Sequence, residues 1–167
     1  MIRVDIETII MAAGPVPSIV VLRERSASTS SEAPLRALSI QTGSFEAASI
    51  SRGINSDEGN RPITHDLMID AVRALGAKVE RVEINRVDAP IFFATVVLSR
   101  ESADEVRLDA RPSDALALAV RANAPVYVED DVMNRAGSIS YRTERENNDE
   151  ELERFDQFVK TLSPDDF

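Results

Sequence analysis

The chain has 167 residues, 43% of them hydrophobic, a formal net charge of −10 and no cysteine. Its length suits one domain with a core of its own, and the lack of cysteine excludes disulfide bonds and thiolate metal sites. The charge argues against a broad, non-specific attraction to nucleic acid. It is uneven, because residues 144–167 hold nine acids and three bases, or −6, which leaves −4 for the first 143 residues.

The first half of the chain predicts three strands followed by two helices. Alternating apolar and polar residues mark the strands, and Gly-, Pro- and Ser-rich turns separate them. The predicted strands cover 2–10, 18–25 and 35–41, the first helix covers 43–53, and the second runs from a Thr64 cap to Gly76. The apolar residues expected to face the core are Phe45, Ala48 and Ile50 in the first helix, and Leu67, Met68, Ala71, Val72 and Leu75 in the second.

The second half predicts a similar order of elements. The strands lie near 78–87, 91–100 and 104–110, a helix follows from Pro112 to about Asn123, and a strand at 125–129 precedes a short helix at 130–136 closed by Gly137. Residues 115–120 are apolar nearly all round, so we expect them to be buried inside the fold or at a subunit interface. The whole pattern predicts an α+β fold with a mixed or antiparallel sheet.

The two halves resemble each other in short stretches. Residues 3–6 (RVDI) are similar to residues 81–84 (RVEI), and each half reduces to strand, strand, strand, helix. Either an internal duplication or chance would explain this likeness. A duplication would place Glu46 and Asp114 at equivalent positions in a first helical turn, where their carboxylates approach a common axis.

A change of composition divides the chain near its C-terminal end. We predict a domain at 1–137, a polar linker at 138–148 and an acidic extension at 149–167 that forms an amphipathic helix. The phenylalanines of this helix, Phe155 and Phe158, are expected to pack on the chain's own core or on a partner. The N-terminal alternation is typical of a strand rather than a signal peptide, and no apolar run approaches a membrane span, so we expect a cytoplasmic protein without a membrane partner.

Two polar strings, each ahead of a predicted helix, carry the chemistry of the sequence. Residues 61–67 (RPITHDL) contain the single histidine, and residues 109–115 (DARPSDA) hold a guanidinium between two carboxylates. A helix N-terminus presents unpaired N–H groups and a partial positive charge, so it suits an anion such as phosphate. The candidate catalytic residues are His65, Asp66, Asp109 and Asp114, and the candidate substrate-binding residues are Arg61, Arg111 and Arg121.

The same carboxylates suit a divalent metal ion, for which Mg²⁺ or Mn²⁺ is expected. Hard cations take oxygen ligands and complete their shell with water and substrate phosphate. Glu46, Asp109 and Asp114 are the predicted ligands. Such an ion would polarise a phosphoryl group and supply hydroxide for phosphodiester hydrolysis.

A structural interpretation accounts for the same residues. First-turn acids gain about 0.3–1 kcal/mol from the helix dipole, and Thr64 and Ser113 are ordinary capping residues. Arg111 would then brace a strand-to-helix corner by pairing with Asp109 or Asp114. Under this interpretation the chain is a non-enzymatic oligomeric module that binds a small anionic ligand or a protein partner.

The two strings, together with residues 43–47 (GSFEA) and 124–128 (APVYV), resemble the bifunctional nuclease domain family over roughly residues 1–137. The resemblance implies an α+β domain that acts on DNA and RNA as a nuclease. It favours hydrolysis with little sequence specificity over the binding-module interpretation, while the apolar faces predict a homo-oligomer. The candidate site residues are those whose chemistry fits at positions within the matching motifs.

Overall fold

Strands and helices of the chain are arranged as an α+β fold with a mixed sheet. A computed structural model of the chain describes residues 1–25, 35–55, 61–100 and 103–139. The strands are β1 (Ile2–Ile10), β2 (Ser18–Glu24), β3 (Arg36–Thr42), β4 (Ala77–Asp88), β5 (Ile91–Arg100), β6 (Ala103–Ala110), β7 (Val126–Val128) and β8 (Ser138–Ile139). The helices are α1 (Ser44–Ile54), α2 (Thr64–Ala74), α3 (Pro112–Ala122) and α4 (Asp130–Ala136). The predicted fold class is therefore confirmed.

One sheet contains all these strands, in the order β6-β5-β4-β7-β1-β2-β3-β8. It consists of two antiparallel meanders, β1-β2-β3 and β4-β5-β6, joined by β7. β7 runs antiparallel to β1 and parallel to β4, so that Val126 lies opposite both Val4 and Val82. These two valines occupy matching places in the stretches of similar sequence. The internal duplication itself stays a prediction.

The hydrophobic core lies between one face of the sheet and the helices. Val4, Leu22, Leu38 and Ile84, which are at most 2% exposed, come from four different strands and share this face. α3 packs against α1, α2, β4 and β5. Its residues 115–119 are 5% exposed or less, which confirms the predicted burial of this apolar helix and places it inside the fold.

α1 and α3 approach each other closely at Gly53. A Cβ atom at this position would lie 2.6 Å from Val120 Cγ2 and 2.8 Å from Arg121 Nη1. Real Cβ contacts are not this short, so the absence of a side chain lets the last turns of the two helices meet. This contact holds Arg121 against the side of α1.

The capping residues differ from those predicted. Thr64 is the first residue of α2, and Ile63 is its N-cap, whose N–H donates to Asp66 Oδ2 over 2.8 Å. Arg111, rather than Ser113, is the N-cap of α3. The predicted caps were wrong because the extended backbone ends one or two residues earlier, and at α2 the Asp66 carboxylate satisfies the backbone donor.

α2 also buries a different face from the one predicted. Ile69 is 4% exposed, and His65 and Val72 flank it at helical spacing on the partly buried side. Four predicted core positions are exposed instead: Leu67, Met68, Ala71 and Leu75. The prediction failed because apolar residues lie on both sides of this helix, and the pattern alone did not identify the side that meets α3.

In α1 the prediction of core residues is correct for Ile50, which is fully buried. Phe45 is 89% exposed and Ala48 is exposed, so neither packs in the core as expected. Ala47 and Ser49 are buried in their place. The side of α1 that carries Ala47, Ile50 and Gly53 faces α3, which turns Phe45 outward.

β8 begins where the linker was predicted to begin. Ser138 and Ile139 pair with Ala37 and Arg36 of β3, so the first two residues of the predicted linker belong to the sheet. The rest of the linker and the predicted amphipathic helix with Phe155 and Phe158 lie outside the described residues. Within the described ranges, the helices are too short or too polar to cross a membrane.

Candidate functional site

Three helices begin at the edge of one open cleft. Residues from the first turns of α1, α2 and α3 line it, together with residues of β5 and β6. The cleft has a volume of about 860 Å³, and its ionisable and hydroxyl-bearing lining includes Glu46, Ser49, His65, Asp109, Arg111 and Asp114. Since each helix N-terminus carries unpaired N–H groups and a partial positive charge, three of them at one cleft favour an anion.

Arg111 connects two acids across the cleft. Its Nε and Nη2 donate to Asp114 Oδ2 and Oδ1 over 2.7 and 3.0 Å, and its Nη1 donates to Glu46 Oε1 over 3.1 Å. The Arg111 guanidinium, and then His65, hold the pKa of Asp114 below its ordinary value. Asp114 in turn raises the pKa of Arg111. A guanidinium has five N–H groups, so two of them donate to none of the described residues, and the side chain is 65% exposed.

His65 lies between Asp114 and Ser49. Its Nε2 is 3.2 Å from Asp114 Oδ1, its Nδ1 is 2.8 Å from Ser49 Oγ, and its side chain is 13% exposed. Asp114 is ionised and can only accept, so Nε2 carries the proton that bridges to it. We therefore assign the neutral ring a proton on Nε2 and a lone pair on Nδ1 that accepts from the Ser49 hydroxyl.

Arg121 supports this arrangement from inside the fold. Its Nε donates to Asp66 Oδ1 over 2.6 Å, its Nη1 donates to the carbonyl oxygens of Ser49 and Ala117, and its Nη2 donates to Ser49 Oγ over 3.3 Å. The side chain of Arg121 is 7% exposed and that of Asp66 is 30% exposed. The Arg121 guanidinium, and then the Ile63 N–H, lower the pKa of Asp66. This brace joins the first turn of α2 to the last turn of α3.

The two polar strings of the sequence therefore belong to one hydrogen-bonded network. It runs from Glu46 through Arg111, Asp114, His65 and Ser49 to Arg121 and Asp66. Both interpretations of the sequence find a counterpart in it. The Arg121–Asp66 half is an internal brace, whereas the Arg111–Asp114–His65 half faces the cleft.

Two other candidate residues lie apart from this network. Asp109 pairs with Thr95 across β6 and β5, between Leu108 and Ala110, which line the cleft. Asp109 itself lines the cleft as well, but no hydrogen bond or ion pair joins its carboxylate to another described residue. Arg61 is exposed ahead of α2, where its carbonyl oxygen accepts from Arg52, and it does not line the cleft. Substrate binding by Arg61 or Arg121 stays a prediction that this geometry does not support.

The predicted metal ligands do not converge. Glu46 and Asp114 both accept hydrogen bonds from Arg111, and Asp109 lines the cleft without a bond to either of them. Among the described residues, no three His, Asp or Glu side chains are grouped closely enough to hold an ion. The described residues as arranged do not fit the predicted ion. Binding of Mg²⁺ or Mn²⁺ stays a prediction.

Sequence reasoning missed two residues of the cleft. Ser49 is 7% exposed and contacts both His65 and Arg121, yet a serine inside a predicted helix carries no signal of its own. Phe45 lines the cleft while 89% exposed. The position of Phe45 beside Glu46, in the first turn of the predicted helix, was the available signal that it lies at the site. It was interpreted as a core residue because it is apolar.

Comparison with known proteins assigns the family. The family described as "Bifunctional nuclease domain" matches residues 20–140. Two uncharacterized proteins of Mycobacterium tuberculosis, from the strains CDC 1551 / Oshkosh and H37Rv, are each 36% identical over 137 residues, which cover 79% of this chain and 81% of the relative. The chain belongs to the bifunctional nuclease domain family. Its membership connects it with nuclease-related function and with nucleic acid as a partner.

Proposed function

We propose that the chain is a nuclease that hydrolyses phosphodiester bonds of DNA and RNA in the cleft lined by His65, Arg111 and Asp114. Two things support the proposal. The family is one of nuclease domains, and the residues of its motifs line a cleft at which three helix N-termini meet. The arrangement of Arg111 beside the paired His65 and Asp114 is the observation that carries it, since it places an anion-binding group next to a proton acceptor.

Phosphate recognition falls to Arg111 and the helix N-termini. Arg111 is 65% exposed and keeps two N–H groups for a ligand while three hold it in place. Glu46 and Asp114 would repel a phosphate if they were free, but both already bond to Arg111. The N–H groups of the first helical turns add further donors, although each of these turns also carries one acid, Glu46, Asp66 or Asp114.

Phe45 accounts for the expected lack of sequence specificity. Its ring is 89% exposed at the cleft, where a base of a bound strand can stack on it. Stacking on an aromatic side chain contributes about 1–3 kcal/mol per base and tolerates every base, because each has a π face. A single exposed aromatic beside a phosphate-binding arginine therefore suits a single strand of either DNA or RNA.

His65 and Asp114 supply the proton transfer. The lone pair on His65 Nδ1 is available to take a proton, and Asp114 stabilises the imidazolium through Nε2. A positioned histidine contributes about 100- to 10,000-fold to such reactions. The hydrogen bond between the two side chains fixes the orientation of the ring during the transfer.

The proposal is tested by assaying single-stranded DNA and RNA with the full chain and its Arg111→Gln variant. We expect Arg111→Gln to lower kcat/KM about 100-fold, because it removes a positioned cationic donor. Arg73→Gln is the matched control, since Arg73 also pairs with an aspartate three residues away but lies on the outside of α2. Equal activity in Arg111→Gln and wild type would overturn the proposed site and indicate a contaminating nuclease.

The same assay separates the remaining predictions. Activity is measured with Mg²⁺, with Mn²⁺ and with chelator, which tests the predicted ion independently of Arg111. A folded wild-type chain inactive under all three conditions would overturn the nuclease proposal and leave the binding-module interpretation. Light scattering tests the predicted homo-oligomer, for which the exposed Leu67 and Leu75 still argue, although α3 is buried inside the fold. The cytoplasmic location stays a prediction.

A further inference from the structure

We propose that Ser49, His65 and Asp114 form a Ser–His–Asp catalytic triad, in which Ser49 attacks the phosphodiester and forms a covalent phosphoserine intermediate. The inference rests on the proposed nuclease function and names the nucleophile of the same site. It assigns a catalytic role to a residue that none of the sequence motifs singled out.

The distances within the three side chains meet the requirements of a nucleophile activated by a base. Ser49 Oγ lies 2.8 Å from His65 Nδ1, and His65 Nε2 lies 3.2 Å from Asp114 Oδ1. An activated nucleophile needs a base within about 2.6–3.2 Å and a third group that orients the base. Such triads occur on unrelated folds with different chain orders, so geometry and roles identify them.

The directions of the hydrogen bonds also fit. Arg121 Nη2 donates to Ser49 Oγ, so the single hydroxyl hydrogen of Ser49 remains to be donated to His65 Nδ1. That hydrogen is the one that a nucleophilic serine loses to its base. The Arg121 guanidinium, 7% exposed, then lies next to the oxygen on which negative charge develops. A buried cation stabilises such charge more strongly than one in water.

Ser49 also occupies the right place in the cleft. It lines the same cavity as Arg111, the proposed phosphate-binding residue, and both are connected through Asp114 and His65. At 7% exposure, its contact with solvent is confined to a small opening. The triad therefore requires that a strand held at Arg111 extends along the cleft, past Asp114 and His65, to Ser49.

The reaction balances with water as the only co-reactant. Ser49 Oγ bonds to phosphorus while its proton passes to His65 Nδ1. The bond from phosphorus to one strand end breaks, and the leaving oxygen takes this proton. A water molecule then gives a proton to Nδ1 and bonds to phosphorus, the phosphorus–Oγ bond breaks, and Oγ recovers the proton. One phosphodiester and one water yield a phosphomonoester and an alcohol.

A fluorophosphonate probe tests the nucleophile without relying on nuclease turnover. The full-length chain is incubated with the probe, and intact and peptide mass spectrometry locate the adduct. We expect labelling at Ser49 that disappears in Ser49→Ala and in His65→Asn. Ser51→Ala, on the same helix and bonded only to Asn55 in the described chain, is the control and should label as wild type does. His65→Asn also keeps the test valid if Ser49→Ala fails to fold.

Nuclease assays of the same variants complete the test. Ser49→Ala is expected to lower kcat about 1,000-fold or more, as loss of a triad member does elsewhere. Wild-type kcat in folded Ser49→Ala, or absence of probe at Ser49 in an active enzyme, would overturn the triad and leave the nuclease proposal standing. Labelling of Ser49 in a chain that cleaves neither DNA nor RNA would overturn the nuclease proposal and leave Ser49 as an activated nucleophile.

Discussion

The carboxylate of Asp114 is held by two partners, and its titration should be visible in the stability of the fold. Arg111 and His65 lower its pKa, so the folded state binds its proton more weakly than the unfolded chain, where the pKa is about 3.9. The stabilisation is therefore present above about pH 4 and disappears as the pH falls through the folded pKa.

Asp114→Asn should lower Tm at pH 7 by about 2–4 °C, since a partly exposed charged pair contributes about 1 kcal/mol. The difference from wild type should shrink as the pH approaches 3. Thermal unfolding by circular dichroism at several pH values measures it. Asp70→Asn, whose pair with Arg73 is 3.8 Å long and well exposed, is the control and should change Tm little at any pH. A difference in Tm between Asp114→Asn and wild type that stays constant with pH would contradict the ion pairing of Asp114 with Arg111 and His65.

The brace between Arg121 and Asp66 should matter more for stability. Asp66→Asn leaves a guanidinium that is 7% exposed without its carboxylate, at a cost of about 2–4 kcal/mol. We expect Tm to fall by about 5–10 °C. The double variant Asp66→Asn with Arg121→Met should recover part of the loss, because it removes the unpaired charge. A loss no larger than that of Asp114→Asn would show that water compensates the charge.

At the scale of the elements, the contact between α1 and α3 controls the position of Ser49 and Arg121. Gly53→Ala would place a Cβ 2.6 Å from Val120 Cγ2, and the repacking should cost about 1–3 kcal/mol. Alanine is otherwise the better helix former by about 1 kcal/mol, so the two effects oppose each other. We expect a net fall in the free energy of unfolding, measured by urea denaturation.

The exposed Ala48 of the same helix provides the matched measurement. Ala48→Gly changes helix propensity without touching α3, and it should lower stability by about 1 kcal/mol. If Gly53→Ala stabilised the chain by the amount that Ala48→Gly destabilises it, helix propensity alone would explain both results. That outcome would contradict the close approach of α1 and α3 at Gly53.

Elements could be predicted from the sequence because their patterns are local, whereas facing and caps depend on the rest of the fold. Alternation in β1 and the apolar run of α3 sufficed to place both correctly. The sequence pattern did not identify the side of α2 that packs against the core, because Leu67 and Leu75 are as apolar as Ile69 and lie on another side of the helix. Nothing local decides among three such residues; the position of α3 does.

The same distinction explains the candidate site. Arg111, Asp114 and His65 were found because a charged group at a helix start has a recognisable chemical role. Asp109 belongs to the same string and lines the same cleft, but its position on β6 opposite Thr95 leaves its carboxylate unbonded to any of the three. Ser49 was missed because only the packing of α1 against α2 and α3 brings it to His65. Short-range chemistry is visible in the sequence, and long-range contacts are not.

For the whole molecule, the distribution of charge explains how an acidic chain can act on nucleic acid. Most described arginines are already paired with acids, such as Arg36 with Glu24 and Arg107 with Glu83. Arg81 makes a bidentate contact with Glu105 and a further bond to Glu83. With a net charge of −10 and most of its described arginines in ion pairs, the chain is not expected to attract nucleic acid over a broad surface. Binding of a strand must therefore depend on a few residues at one place on the surface.

This predicts an unusually small dependence of binding on salt. Each phosphate neutralised by a cation contributes a slope of about −0.7 to the plot of log K against log salt for single strands. If Arg111 and the adjacent helix N-termini contact one or two phosphates, affinity should fall about 3- to 7-fold between 50 and 200 mM salt. A protein with 6–10 phosphate contacts would lose about 1,000-fold or more.

Fluorescence anisotropy with a labelled oligonucleotide and the inactive Ser49→Ala chain measures the slope. Arg111→Gln should reduce the slope by about one phosphate equivalent, whereas Arg73→Gln should leave it unchanged. A steep slope unaffected by Arg111→Gln would mean that the strand binds elsewhere on the molecule.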